Sequence, residues 1–358
     1  MKTVARVLVF PAYRDNPYIN LLGLAARGRG YALIDETRLE ELERTAASLT
    51  SGDVVHLHWT TPVVQRAETV EEASERLDRF RTAVDAAAAR GARIVWTLHN
   101  VVPHDVRHDE LELALCRYLA DRADVVHVMT ADAVEAAAPL YTLDPAKVVV
   151  IPHPSYQGVY PSQLSRHDAR ASIGLDADER GVLFFGQMRP YKGLDTLFAA
   201  LGRLKATAVR PVLLLAGSVT DADRLTLEAI LPAGVRVVWH PGHVADADVE
   251  KWLRAADVLV LPYRRILNSG TLHLAATFDL PVVLPDEPHL RAAFGGETWI
   301  RWFDTEDPVT SIAGLLDDEA TYAVDSAATR DFSHRLSPFT ISTRYADLLD
   351  RLRATDSA

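Results

Sequence analysis

Short apolar runs rich in β-branched residues alternate with longer amphipathic stretches along the whole chain. The first half offers strand-like runs at Ala5 to Phe10, Val54 to Trp59, Arg93 to Leu98, Asp124 to Met129 and Val148 to Ile151. A second series follows at Val182 to Phe185, Val212 to Ala216, Val235 to Trp239, Val258 to Leu261 and Val282 to Leu284. Helical periods fall between most of them. Such an order predicts parallel sheets covered by helices, and two arrays predict two sheets. The expected fold class is α/β, with two Rossmann-like doubly wound domains facing across a cleft. Between the arrays, Pro152 to Arg180 is broken by prolines and polar residues and lacks a long apolar period, as a crossing between domains would. The boundary falls near residue 165, giving domains 1–165 and 166–335. The segment 336–358 carries a last helical pattern, about Ser342 to Arg353, free to return to the first domain.

Composition adds exclusions. At 358 residues the chain exceeds one compact core, and with 48% hydrophobic and 24% charged residues it reads as an ordinary soluble enzyme. No apolar run approaches the ~20 residues that span a bilayer, and the start of the chain lacks the pattern of a signal peptide. The expected location is the cytoplasm, with room for a peripheral contact at the inner face of the membrane. The single cysteine, Cys116, sits in the apolar stretch LELALCRYLA and reads as a buried structural thiol. A net charge of −11 opposes nucleic acid as a partner, so anionic ligands need local arrangements.

Ligands of open α/β sheets sit beyond the carboxyl ends of the strands. In the first half those positions hold His58, Trp59 and Thr60, then the loop HNVVPHD from His99 to Asp105, then His153. One histidine at a strand end is commonly a structural hydrogen-bonding residue, but His99, His104 and Asp105 in one loop are candidates for acid–base chemistry. Zinc held by His56, His58, His99 and His104 lacks support, because neither HExxH nor paired-cysteine spacing occurs. In the second half, GVLFFGQMRPYKG ends a strand at Gly186 and delivers Arg189 and Lys192 before a helix over Leu194 to Leu204. Glycine permits close approach of backbone to ligand, and the two cations suit a diphosphate. A solvated strand–loop–helix turn is the plainer alternative. Two further loops share that sheet: Gly242, His243 and Val244 follow one strand, and after Tyr263 the residues Ser269, Gly270 and Thr271 open a helix.

The ordered series FFGQMRPYKG, LLLAGS, HPGHV, AADVLVLPYR and NSGTLHLAATFDLPVV resembles the group 1, family-four-like glycosyltransferases of GT-B fold. A looser likeness in the first half rests on VVHLHW, TLHN followed by PHD, ADVVHVMT and VIPHP. The resemblance implies transfer of a sugar from a nucleotide-diphosphate sugar to a hydroxyl of a saccharide, lipid-linked sugar or natural product, as in polysaccharide biosynthesis. It implies a donor bound by the second domain, an acceptor on the first, and neither cofactor nor metal. It assigns Arg189 and Lys192 to the diphosphate, His99 to the donor sugar, Gly242 to Val244 to the nucleobase, and Ser269 to Thr271 to the diphosphate and sugar. Two departures stand out: Gln187 replaces an arginine after the glycine, and the paired glutamates of the E-x7-E signature fall at Ile266 and Leu274. Retaining and inverting chemistry both stay open, with His104 or Asp105 as base for the latter. So do a noncatalytic sugar-nucleotide-binding relative and a sugar-nucleotide epimerase. Donor sugar, nucleobase, acceptor and oligomeric state are not legible. The DxD-like strings at Asp176, Asp221 and Asp246 would suggest a metal-dependent transferase of one GT-A domain, but two arrays do not fit that layout and the strings read as chance in an Asp/Ala-rich chain.

Overall fold

The computed structural model describes residues 4–13, 16–103, 106–205 and 210–354. It divides into two compact units, one formed by the chain up to Pro154 together with the segment from Pro338 onward, the other by Ser155–Ser337.

The first unit holds a six-stranded parallel sheet of β1 (Arg6–Phe10), β2 (Ala32–Asp35), β3 (Val54–Leu57), β4 (Arg93–Thr97), β5 (Val125–Val128) and β6 (Val148–Val150), in the order β2-β1-β3-β4-β5-β6. Strands β1, β3, β4 and β5 are almost wholly buried, as expected where helices cover both faces. The second sheet contains β7 (Glu179–Phe185), β8 (Arg210–Ala216), β9 (Arg236–His240), β10 (Val258–Val260), β11 (Val282–Pro285) and β12 (Ile300–Phe303), in the order β12-β11-β10-β7-β8-β9. All pairings are parallel, so within each unit the loops leaving the strand ends gather at one edge.

Two edge strands have no counterpart among the apolar runs. In β2 the sequence ALID is partly exposed along its length, and in β12 the sequence IRWF interrupts its apolar residues with a charge. The segment expected as a crossing contains a short helix, Arg166–Ser172, which belongs to the second unit. Arg170 pins it there by donating to the carbonyls of Ala255 (3.1 Å) and Glu179 (2.6 Å) and pairing with Asp257.

The C-terminal helix Pro338–Ala354 packs in the first unit and buries Ile341, Tyr345, Leu348 and Leu349. Its outer side is tied to the same unit by Tyr31, whose hydroxyl donates to Asp350 at 2.7 Å, and by Arg29, which pairs with Asp347 and Asp350.

Candidate functional site

In the second unit, β7 ends against β8 so closely that side chains are excluded. Gly186 (φ 110°) donates its N–H to Ala216 O at 2.8 Å, and a Cβ on Gly217 would lie 2.0 Å from Gly186 O. After a single turn at Pro190–Lys192, Gly193 adopts a left-handed conformation (φ 68°) and caps the helix Leu194–Leu201. That helix is held by Leu194, Leu197, Phe198 and Leu201 at core-facing spacing. A Cβ on Gly193 would stand 2.0 Å from Pro262 O, so the loop lies flat on the chain leaving β10.

This path brings Lys192 back over Gly186. Its Nζ lies 3.6 Å from the place a Cβ on Gly186 would occupy, and Thr271 Oγ1 lies 3.9 Å from the same point. The ammonium also stands 5.3 Å from the ring centre of Tyr263 and 5.8 Å from that of Phe184. Burial holds its pKa below the usual lysine value, and the Arg189 guanidinium works in the same direction against an opposing effect of Tyr191. Among the described residues, neither Lys192 nor Arg189 forms an ion pair. A desolvated ammonium without a counter-charge is costly, and a bound anion would remove that cost.

The unit's other strand-end loops hold the remaining candidates. Ser269 is buried at the start of the helix Gly270–Thr277, and its side chain makes no cap hydrogen bond. Burial pushes the Tyr263 phenol up to about 12, opposed by the hydroxyls of Thr271 and Ser269. The loop after β9 places Val244 inside and His243 outside, with His240 Nε2 3.2 Å from His243 O. At Gly242 an added Cβ would meet only ordinary contacts, so space does not demand glycine there. Leu274 is buried on the Gly270–Thr277 helix, and Ile266 O accepts a hydrogen bond from His289 at 2.7 Å. Arg189 lines an adjoining cavity of about 430 Å³ with Met188, Leu194, Leu227, Ile230 and Arg264. Arg264 went unremarked in the sequence, yet its N–H donates to Tyr191 O at 2.9 Å and its guanidinium pairs with Asp195, latching the loop that carries Lys192.

The first unit brings His56, His58, His99 and His127 to the carboxyl side of its sheet. His56 lies on β3, His127 on β5, and Thr97 ends β4 opposite His127 in register. All are buried, and burial keeps His56 and His127 neutral, holding His127 at about 4. Neutrality fixes the direction of every bond between them. His127 Nε2 donates to Ile151 O at 2.8 Å, so its Nδ1 must accept from the Thr97 hydroxyl at 2.9 Å. Thr97 Oγ1 in turn accepts from His56 Nε2 at 2.7 Å, which leaves His56 Nδ1 to accept from the Tyr345 hydroxyl at 2.7 Å. The chain begins on the C-terminal helix and ends beside β6. Both nitrogens of His56 are thereby used, and among the described residues no group of three potential ligands could hold a metal ion.

His58 and His99 stand just past β3 and β4, with Nδ1 of the former 2.9 Å from Nε2 of the latter. Trp59 stacks on His99 at 4.0 Å and 16°, and Tyr18 meets the same ring edge-on at 5.2 Å. Beyond His99, Tyr141 donates to Val101 O at 2.6 Å, while Gln65 Oε1 accepts from the backbone of Arg107 and His108 at 2.7 and 3.1 Å. His104 and Asp105 lie outside the described residues. Gln65 also donates to Glu112 at 2.6 Å, a carboxyl whose pKa burial raises. Cys116 is buried, and burial raises its thiol pKa as well. His153 donates to Pro154 O at 2.7 Å.

Residues 179–318 match the family model described as Glycosyl transferases group 1. The GDP-mannose:glycolipid 4-beta-D-mannosyltransferase of Xanthomonas campestris pv. campestris is 24% identical over 345 residues, 96% of this chain and 90% of that protein. The D-inositol 3-phosphate glycosyltransferase of Mycolicibacterium vanbaalenii is 31% identical over 238 residues, 60% of this chain and 52% of that protein. The crystal structure of Anabaena HepE in complex with UDP and glucose superposes with a TM-score of 0.71 at 16% identity, covering 97% of this chain and all of that one, a likeness of fold.

Proposed function

Since the chain is a glycosyltransferase of GT-B fold whose residues 179–318 form the group 1 domain, we propose that the second unit holds the diphosphate of its nucleotide-sugar donor at Gly186, Lys192 and Thr271, with Arg189 reaching the same anion. The observation that carries this is Lys192: a desolvated ammonium with no carboxylate partner among the described residues, held, like the Thr271 hydroxyl, over the bare backbone of Gly186. In the transfer, the bond from the anomeric carbon to the diphosphate breaks as a bond to the acceptor oxygen forms. Negative charge grows on the departing phosphate, where fixed cations and hydroxyl donors lower the barrier. The loop from Gly242 to Val244 would border the nucleobase, and Ser269 and Gly270 the sugar and diphosphate. Leu274 offers ribose hydroxyls no hydrogen bond where the family places a glutamate, so the donor contacts there must differ.

His99 of the first unit would meet the donor sugar, and this unit would take the acceptor. A glycolipid is the acceptor class we favour, because the relative named for one aligns along 96% of this chain. Such an acceptor would bring the protein to a membrane surface; no described helix is long and apolar enough to cross one. That relative is also named for a β linkage. From an α-linked donor a β product requires inversion, and hence a base for the acceptor proton. His104 and Asp105 are its candidates on sequence position alone.

A thermal-shift screen with GDP-, UDP- and dTDP-sugars tests the donor assignment, since a ligand at a hundred times its dissociation constant stabilises by about 2.7 kcal/mol. GDP-mannose is the expected responder, with label transfer to a glycolipid acceptor as confirmation and the product's anomeric configuration as the test of inversion. Silence toward every nucleotide sugar would contradict the assignment. Binding and turnover without an acceptor would favour an epimerase.

A further inference from the structure

One proton lies between His58 Nδ1 and His99 Nε2, and the surroundings decide which ring owns it. Both imidazoles are buried, and burial holds both pKa values well below the usual histidine range, so each ring carries a single N–H. Were the proton on His99 Nε2, His58 would carry its own on Nε2. That atom is buried with no hydrogen-bond partner among the described residues. An orphaned buried N–H is rarer and costlier than an unfilled acceptor, so the opposite arrangement is favoured. We propose that His58 donates from Nδ1 to His99 Nε2, fixing His99 as the tautomer protonated on Nδ1, so that His99 acts as a hydrogen-bond donor and not as a proton acceptor.

The packing keeps this assignment from being scrambled. Exchanging the two nitrogens of His99 needs a half-turn of its ring, which is stacked on Trp59 and met edge-on by Tyr18. Behind His58, the ring of His56 stands 4.1 Å away and is fixed at both nitrogens by Tyr345 and Thr97. His58 is thus a positioning residue that acts through His99. The chemical consequence rests on the functional reading given above: His99 can donate to an oxygen of the donor sugar, while the proton leaving the acceptor hydroxyl goes to another group.

Imidazole nitrogen NMR on the full-length, nitrogen-15-labelled protein without substrate reads the tautomer directly, with His99→Gln assigning the signals. The expected result is a protonated-type Nδ1 and an unprotonated-type Nε2 for His99; the reverse overturns the inference. Kinetics add a second arm. His58→Asp can only accept from His99 and should lower kcat on the order of ten- to a hundredfold, whereas His58→Asn, which keeps an amide N–H near the Nδ1 position, should recover most of that loss. Equal rates for the two variants overturn the positioning role. The tautomer is read with no nucleotide present, so its failure would leave the diphosphate assignment standing, and loss of that assignment would leave the tautomer standing.

Discussion

At the scale of single residues, the first unit depends on polar groups that have one satisfactory arrangement each. Among the described residues, the Tyr345 hydroxyl is the donor that the chain of bonds leaves for His56 Nδ1. Tyr345→Phe keeps the ring stacked on His56 and removes that donor alone. An unfilled buried acceptor costs about 1–3 kcal/mol, so the urea midpoint at neutral pH should fall by that equivalent. An unchanged midpoint would show that the bond contributes nothing to holding the helix. Sequence position alone put His58, His99 and His153 at strand ends, but not what they do there. Which histidines touch depends on strand order, and Tyr345 comes from the far end of the chain. Periodicity within a segment carries no trace of either.

Among elements, the loop between β7 and the helix Leu194–Leu201 owes its shape to two glycines with positive φ. At Gly193 a side chain is excluded twice, by a left-handed backbone costing ~1–2 kcal/mol for an L-residue and by the Pro262 carbonyl. Gly193→Ala should push the loop off β10 and displace Lys192. Nucleoside-diphosphate affinity should drop at least tenfold with the far-ultraviolet circular dichroism of the folded protein retained; unaltered affinity would mean that loop placement is irrelevant to binding. The strand end at Gly186 and the helix after Gly193 were legible, because glycine closes a continuous apolar run and an apolar period resumes at Leu194. Arg264 was not legible, since its effect passes through backbone carbonyls brought near by the β10–β7 pairing. The central strands were equally legible from continuous apolar runs, whereas β2 and β12 each take a charged residue into a four-residue strand and leave a weaker pattern.

Across the whole molecule, the buried histidines link stability to pH. His127 and His153 have folded pKa values pushed down to about 4 by burial, and those of His56, His58 and His99 are lowered for the same reason. Unfolded, each would titrate near 6.5. Above that value both states are neutral and stability is complete. Below it the unfolded chain takes up protons that the folded chain refuses, so stability falls with pH, for His127 and His153 down to about pH 4. The slope is up to about 1.4 kcal/mol per pH unit for each such histidine. Urea unfolding at pH 7.5 and pH 5 should therefore differ steeply, and equal midpoints would contradict the burial of neutral rings. We propose that the protein, with isoleucine at 266 and leucine at 274, holds its donor by the diphosphate. Calorimetric titration with GDP and UDP of the wild type, Arg189→Ala, Lys192→Ala and the double variant tests it most directly. Charge-assisted bonds worth ~1.5–3 kcal/mol should weaken binding about ten- to a hundredfold per lost cation. Equal affinity in the wild type and the double variant would contradict the account.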